Sequence, residues 1–272
     1  NAGPSDSQIA GQSCEESAVE LGHVESLGPN LFGDPSSYGG WRSGGEYTTG
    51  GETRRIWPKD YDISVAANEV LGTVGGRPRA WAFDFSLFDF RHPAENTANM
   101  ERWQENRSIY GACYLRYYEK GPVLDRIVNL VHRDTVAGED LPCDTVMQDV
   151  PGTAKGAWLL LGVENINPED PHLALVHWNT HPSQRVFSVG TSMSNLDSGV
   201  YAFLPVSEGL MNRDFADIIP YGQTQGLWVD GFGVIIIVQM PDSDPLWIEA
   251  LIGATTDPSS WVFTEDMQVF VR

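Results

Sequence analysis

The chain of 272 residues is long enough to bury a substantial core, and it carries 17 lysines and arginines against 37 aspartates and glutamates, a formal net charge of −20. This acidity argues against nucleic acid and anionic membrane surfaces as partners, because both carry negative charge themselves. The longest apolar run, VIIIV at 234–238, has the length of a strand. It falls far short of the roughly 20 residues that a transmembrane helix requires, so we expect no transmembrane segment.

The N-terminus and the cysteines predict an exported protein. The chain begins at Asn1 without methionine, which is typical of a mature chain whose signal peptide has been removed, although a trimmed sequence would begin in the same way. We expect one disulfide, between Cys113 and Cys143, with Cys14 left in the N-terminal segment. Three reduced thiols are the alternative. The expected location is secreted or periplasmic.

Residues 1–60 are rich in glycine, serine and acids, and they hold eleven of the 28 glycines. This composition predicts a loop-rich leader or an irregular cap rather than a periodic element. Trp41, Tyr47 and Trp57 argue against full disorder, since disordered segments are poor in aromatic residues.

Residues 61–272 are expected to form a single large β domain. Segments rich in β-branched and aromatic residues follow one another, separated by Gly, Pro, Asp or Asn, and long helical patterns are missing. We therefore predict an all-β fold, an antiparallel β-sandwich or barrel-like domain with few short helices, of which 95–106 is the best candidate. A short echo between 72–85 and 152–162 leaves two similar β units as the alternative. The strand candidates are 79–91, 112–119, 125–133, 156–163, 173–181, 184–192, 200–206, 233–240, 246–253 and 267–272.

The first strand candidate changes phase part-way along. In RAWAFDFSLFDFR, 79–91, alternating aromatic and aliphatic side chains share one face up to Leu87, and from Phe88 the pattern moves by one residue. A shift of one residue turns every later side chain to the other face of a sheet. The sequence therefore predicts a β-bulge or tight bend near Leu87 and Phe88.

The stretch HLALVHWNTHP, 172–182, concentrates histidines, a tryptophan and an asparagine. The i, i+4 spacing of His177 and His181 suits a helical zinc site, but a proline follows directly and the stretch is typical of a strand. On a strand the two histidines would lie roughly 13 Å apart, too far to share one zinc ion. His177 and Asn179 are candidates to line a pocket, with Val176 and Trp178 on the flanking face as core or as a second wall. The interpretation that the pattern favours is a partly buried His177 that is satisfied by backbone groups.

Two aspartates in FDFSLFDF, Asp84 and Asp89, stand among aromatic residues. A pair of carboxylates near aromatic platforms is what glycoside hydrolysis requires, and they are catalytic candidates together with His177 and Asn179. The alternative is that Asp84 simply faces water. Neither a G-x-S-x-G elbow nor a phosphate-binding loop is present in the sequence.

Acidic loops supply the oxygen ligands that calcium prefers in extracellular proteins. No EF-hand pattern is present, and solvated turn residues are the alternative. The candidate calcium ligands are Glu139, Asp140, Asp144, Asp242 and Asp244.

Nine tryptophans are a high number for this length, and exposed aromatic faces stack on sugar rings or apolar partners. Trp178 and Trp228 are the tryptophans that we expect to bind ligand, together with His177 and Asn179. Three functions follow: a binding or surface module for a small molecule or saccharide, a hydrolase with a His/Asn/carboxylate pocket, or a self-assembling subunit that adds an edge strand to a neighbour's sheet. The binding module ranks first because the sequence offers no complete catalytic set, and it does not decide whether the protein is an enzyme.

Overall fold

The structure is a computed structural model of the chain. Its described residues fall into two compact units. The first unit comprises 1–48, 53–93 and 110–114, and the second comprises 49–52, 94–109 and 115–272. The predicted division into a leader over 1–60 and a β domain over 61–272 stays a prediction. The described residues are 7–14, 17–28, 46–49, 52–55, 65–66, 68–75, 83–94, 96–103, 107–131, 133–134, 141–143, 145–163, 171–229 and 233–272.

Strands dominate the described ranges, and helices are short. The strands are β1 (Ser7–Cys14), β2 (Ser17–Leu27), β3 (Glu46–Thr49), β4 (Glu52–Arg55), β5 (Gly72–Val74), β6 (Asp84–Asp89), β7 (Gly156–Leu160), β8 (Leu173–His177), β9 (Arg185–Val189), β10 (Gly199–Phe203), β11 (Gln225–Val229), β12 (Val234–Gln239), β13 (Leu246–Ile252) and β14 (Gln268–Val271). The α-helices are α1 (Met100–Trp103) and α2 (Pro122–Val128), and 3-10 turns cover Arg107–Tyr110, Tyr114–Tyr117, Phe215–Asp217 and Pro258–Ser260. No helix in these ranges is long and apolar enough to span a membrane.

The second unit is built on one sheet of eight antiparallel strands in the order β10-β9-β8-β7-β14-β13-β12-β11. The sheet curls into a half-barrel, and its two edge strands, β10 and β11, approach within 8 Å between Cα atoms. Right-handed strand twist accumulates over eight strands into such a curl. The predicted all-β, antiparallel, barrel-like fold is confirmed.

The concave side of the sheet holds the main core. Trp158, Phe187, Phe215 and Phe270 are fully buried there, and the indole Nε1 of Trp158 donates a hydrogen bond of 2.8 Å to the carbonyl oxygen of Ala154. Full burial of side chains of this size stabilises by about 2–3 kcal/mol each, before the conformational entropy that folding costs. The remaining members of this core are Ala154, Leu173, Leu175, Val189, Met193, Leu196, Ile218, Leu227, Val234, Ile236, Val238, Met240, Leu246, Ile248 and Ala250.

Strand β12 is buried on both faces, which explains its unbroken apolar run. Ile236 belongs to the main core, whereas Ile235 and Ile237 pack with Trp261 on the other face of the sheet. A strand covered on both sides has no reason to alternate polar and apolar residues.

In the first unit, β2 pairs with β1, β5 and β6. The described parts of 7–55 form β1 to β4, although the composition of this segment predicted no periodic element. The bulge predicted near Leu87 and Phe88 is wrong, because the pairing of β6 with β2 runs without a register shift from Asp84 to Asp89. The chain turns only after β6 ends, at Phe90.

Two strand candidates are also wrong. Segment 112–119 contains the 3-10 turn Tyr114–Tyr117, and segment 125–133 overlaps α2. Proline at the start of α2 carries a preset φ and needs no amide partner, which favours helix initiation. The helix candidate 95–106 contains the single turn α1, and residues 95 and 104–106 lie outside the described ranges.

Candidate ligand-binding cleft

A cleft of about 380 Å³ opens on the second unit. It lies on the face of β7–β10 that points away from the main core, because its lining residues alternate along each strand with core residues. The other wall of the cleft is the segment 146–149, which we call the cleft wall. The lining residues are Val146, Met147, Gln148, Asp149, Ala157, Ala174, Val176, His177, Trp178, Asn179, Val186 and Val200.

Small side chains at the centre of the sheet face create the depression. Ala157 of β7 lies directly opposite Ala174 of β8, and Val176 lies opposite Val186 of β9. Two paired alanines leave room that larger cross-strand neighbours would fill. Val200 on the edge strand β10 bounds the depression and is 57% exposed. The sheet side of the cleft is therefore aliphatic.

The cleft wall is fixed to the end of β8 by the side chain of Gln148. Its Oε1 accepts a hydrogen bond of 2.9 Å from the backbone N–H of His177. Its Nε2 donates to the carbonyl oxygen of His177 at 3.1 Å and to Oδ1 of Asn179 at 2.6 Å. The side chain thereby satisfies both backbone groups of His177, as a neighbouring strand would do.

The cleft wall is fixed to β7 by Asp149, which is 3% exposed. Its Oδ1 accepts a hydrogen bond of 2.8 Å from the backbone N–H of Ala157, and its Oδ2 accepts one of 2.8 Å from that of Ala98. Gly156 makes this approach feasible, since a Cβ there would lie 2.0 Å from Oδ1 of Asp149. A buried carboxylate with backbone donors on both oxygens is a structural anchor.

The ring of His177 meets a cation rather than a carboxylate at Nδ1. Nζ of Lys155 lies 3.0 Å from Nδ1 of His177. An ammonium group can only donate a hydrogen bond, so Nδ1 of His177 is the acceptor in this contact. The guanidinium of Arg272 donates to the carbonyl oxygen of Lys155 and lies 4.0 Å from the ring centroid of Trp158. Burial lowers the pKa of Arg272, while the carboxylates of Asp149 and Asp244 oppose that shift.

Trp178 stands at the rim of the cleft, in the turn between β8 and β9, and it is 38% exposed. Its backbone N–H donates to the carbonyl oxygen of Gln184 at 3.1 Å. The ring of His181 packs edge-on at 5.9 Å between centroids, and Nδ1 of His181 lies 3.0 Å from Oδ2 of Asp134. The tryptophan is therefore positioned by the turn and by one ring neighbour, with part of its surface left open.

The structure brings together three of the ligand-binding residues predicted from sequence, His177, Trp178 and Asn179, on one cleft. Trp228 lies elsewhere: it is on β11 and packs against the cluster of Ile235, Ile237 and Trp261. Val176 lines the same cleft.

Asp84 and Asp89 belong to the first unit, at opposite ends of β6. Asp89 is buried and pairs with Arg91 at 2.7 Å, whereas Asp84 is exposed. Five strand positions place their Cα atoms roughly 16 Å apart and their side chains on opposite faces. Glycosidases hold their two carboxyl groups about 5–9.5 Å apart, so these residues do not form such a pair along the strand.

The two described calcium candidates already have protein partners. Asp242 accepts from the Tyr221 hydroxyl at 2.7 Å and from the Ser243 N–H at 2.6 Å, and Asp244 accepts from the Arg272 N–H at 3.3 Å. The N–H of Ser243 is the main cause that lowers the pKa of Asp242. Nowhere in the described part of the chain do three His, Cys, Asp or Glu side chains converge as metal ligands do. Glu139, Asp140 and Asp144 lie outside that part.

Sequence reasoning missed the residues that build the second wall. Gln148 and Asp149 bind β8 and β7 across the cleft, and Lys155 contacts the ring of His177. The available signal was local: Gln148 and Asp149 interrupt the apolar run of Val146, Met147 and Val150. Polar residues inside an apolar run are buried only when they find hydrogen-bond partners.

The predicted disulfide between Cys113 and Cys143 is present.

No family model, curated protein or solved structure matches the chain. The function must therefore be argued from the chemistry of the cleft.

Proposed function

We propose that the protein is an exported binding module that holds a small, largely apolar ligand in the cleft beside Trp178. The observation that carries this proposal is a preformed cleft of about 380 Å³ with aliphatic walls and a polar edge at His177 and Asn179. Small-molecule sites are usually preformed, mostly apolar and provided with a few polar groups, and they span about 300–1,000 Å³.

The exposed valines support ligand binding. Val146 on the cleft wall and Val200 on β10 are 54% and 57% exposed. Both line the same cleft. A ligand between them would remove apolar surface from water, which stabilises by about 25 cal/mol per Å².

An apolar ligand suits the cleft better than a saccharide. Among the described lining residues, Trp178 alone carries a large aromatic ring, and most of the others are aliphatic. Sugars require several hydrogen bonds around an aromatic platform. Gln148 and Asp149 use their polar atoms on the protein itself.

A hydrolase is less well supported. A catalytic histidine needs an orienting group that accepts its proton, and carboxylates usually do so. The contact at Nδ1 of His177 is the ammonium group of Lys155, which has no acceptor. The secreted or periplasmic location is part of this proposal, and the disulfide supports it because disulfides persist in oxidising compartments.

The neutral dye N-phenyl-1-naphthylamine, whose emission rises in apolar surroundings, tests the proposal. Ala174→Leu should fill the depression and weaken dye binding by about tenfold or more, equivalent to about 1.4 kcal/mol. Val200→Asn should weaken it less, by polarising one wall.

Val262→Asn is the matched control, because Val262 is 65% exposed and lies outside the cleft. The proposal fails if the folded protein does not bind the dye, or if all three variants bind it as the parent protein does. Thermal unfolding of each variant identifies any loss that comes from misfolding.

A further inference from the structure

We infer that the ligand of the cleft is an acyl compound: an aliphatic chain whose polar end is a carbonyl oxygen, neutral or as a carboxylate, bound by the side-chain amide of Asn179. This inference rests on the proposed function and specifies its ligand. It follows from the hydrogen bonds that fix which atoms Asn179 presents.

The orientation of the Gln148 amide is determined by the backbone. The N–H of His177 can only donate, so the atom that meets it at 2.9 Å must be the oxygen Oε1 of Gln148. The nitrogen Nε2 therefore lies on the other side of the amide. There it donates to the carbonyl oxygen of His177, an atom that can only accept.

The orientation of Asn179 follows from that of Gln148. Because Nε2 of Gln148 donates at 2.6 Å, the atom of Asn179 that receives it must be the oxygen Oδ1. The amide nitrogen Nδ2 of Asn179 is then the group that remains for a ligand. Nothing in the described part of the chain accepts a hydrogen bond from it, and Asn179 lines the cleft and is exposed. Asn179 therefore offers a donor to the cleft.

The groups around Asn179 also include hydrogen-bond donors and cations. The ammonium group of Lys155 lies 3.0 Å from Nδ1 of His177. Nε of Arg133 donates to the backbone oxygen of Asn179 at 2.6 Å. Both oxygens of Asp149, the carboxylate in the lining, accept from backbone N–H groups. The polar edge is thus rich in donors and cations within a chain of net charge −20, which favours an acceptor on the ligand.

The aliphatic face next to this polar edge would bind the hydrocarbon part of the ligand. Val176, Val186 and Val200 lie on the adjacent strands β8, β9 and β10. All three line the cleft together with Asn179. A carbonyl at Asn179 would place an attached hydrocarbon chain across these valines.

Isothermal titration calorimetry with decanoate and 2-decanone tests the inference without the dye. The decisive variant is Asn179→Asp, which keeps an oxygen for Nε2 of Gln148 and replaces the donor Nδ2 by an acceptor. We expect 2-decanone to bind about tenfold more weakly to this variant, and decanoate to lose more because two negative charges then meet. Asn129→Asp, at an exposed position after α2, adds the same charge outside the cleft and should leave both affinities unchanged.

The relative affinities of decanoate and 2-decanone identify whether the cleft prefers a free acid or a neutral acyl group. Tighter binding of decanoate indicates a free acid, and tighter binding of 2-decanone indicates a neutral acyl group. The inference is overturned if neither binds, or if Asn179→Asp and Asn129→Asp change the affinities equally. In that event, dye binding that still depends on Ala174 would leave the proposed function intact, whereas loss of that dependence would remove both.

Discussion

Gln148 and His177 pair as two strands would, although one partner is a side chain. The amide of Gln148 accepts from the N–H of His177 at 2.9 Å and donates to its carbonyl oxygen at 3.1 Å. A third hydrogen bond, to Oδ1 of Asn179, extends the contact beyond the end of the strand. One side chain thus holds the cleft wall against the strand that carries the polar edge.

Gln148→Glu should destabilise the protein by about 2–3 kcal/mol at neutral pH. The carboxylate oxygen that replaces the donor Nε2 would face two acceptors, the carbonyl oxygen of His177 and Oδ1 of Asn179. The free energy of unfolding in urea measures this loss. Gln223→Glu, at an exposed position, is the matched control and should change the stability by less than about 0.5 kcal/mol. Equal stabilities of the two variants would show that the hydrogen bonds of Gln148 do not hold the wall.

Gly156→Ala should be destabilising for two reasons. The added Cβ would lie 2.0 Å from Oδ1 of Asp149, and the residue has a φ of +134°. Gly162→Ala shares a positive φ of +84° but meets nothing within 4 Å, so it carries only backbone strain of about 1–2 kcal/mol. We expect Gly156→Ala to cost about 2 kcal/mol more than this control in thermal or urea unfolding. A smaller loss for Gly156→Ala than for Gly162→Ala would contradict the close approach.

Asp214 should contribute to the acid sensitivity of the fold. Burial raises its pKa, but hydrogen bonds from Arg185 and the Ala216 N–H, with the charges of Arg185 and Lys155, outweigh burial, so its pKa lies below 3.8. A carboxyl group whose pKa is lower in the folded state stabilises above its unfolded pKa, and this stability is lost as the pH falls through the folded value. Asp214→Asn should therefore destabilise at pH 6 and lose less stability than the parent protein below about pH 4.

Urea unfolding of the parent protein and Asp214→Asn at pH 6 and pH 3 measures this difference. Asp257→Asn is a useful comparison, because Asp257 is exposed and also has a lowered pKa, caused chiefly by the N–H of Ser259. An unchanged pH dependence in Asp214→Asn would show that the ion pair with Arg185 does not contribute to stability.

The disulfide closes a loop in which 29 residues lie between Cys113 and Cys143. Loop-closure entropy predicts that its reduction lowers the free energy of unfolding by about 3–4 kcal/mol. Thiol titration in denaturant should find one reactive thiol before reduction and three after it. A count of three before reduction would rule out the disulfide.

Much of the eight-stranded sheet was predictable because its strands carry short, β-branched and aromatic runs with clear breaks. Strands β7 to β9 and β12 to β14 fall within candidate segments, and β10 begins one residue before its candidate. Strand β11 was missed because its sequence, QGLWV, is short and contains a glycine. The errors at 112–119 and 125–133 have a different cause. Aromatic and β-branched content alone does not distinguish a strand from a helix when a proline and the i, i+4 spacing of Val123 and Ile127 favour a helical turn.

The cleft was only half predictable. His177 ends β8 and Asn179 follows two residues later in the turn, so their closeness along the chain alone brings both to one cleft. Gln148 reaches His177 from 29 residues away, and no local period reports that contact. The pairing of β7 with β8 brings Ala157 opposite Ala174, which creates the space, and this depends on register rather than on either residue by itself.

Strand β12 has a consequence for how this protein can change over evolution. All five residues of 234–238 are buried, alternately in the main core and against Trp261. An ordinary half-buried strand has a face on which substitutions are nearly neutral, but this one has none. We expect residues 234–238 to vary least among any descendants of this sequence, and their backbone amides to exchange hydrogen last. The aliphatic residues around the cleft should vary more, because substitutions there change which ligand binds.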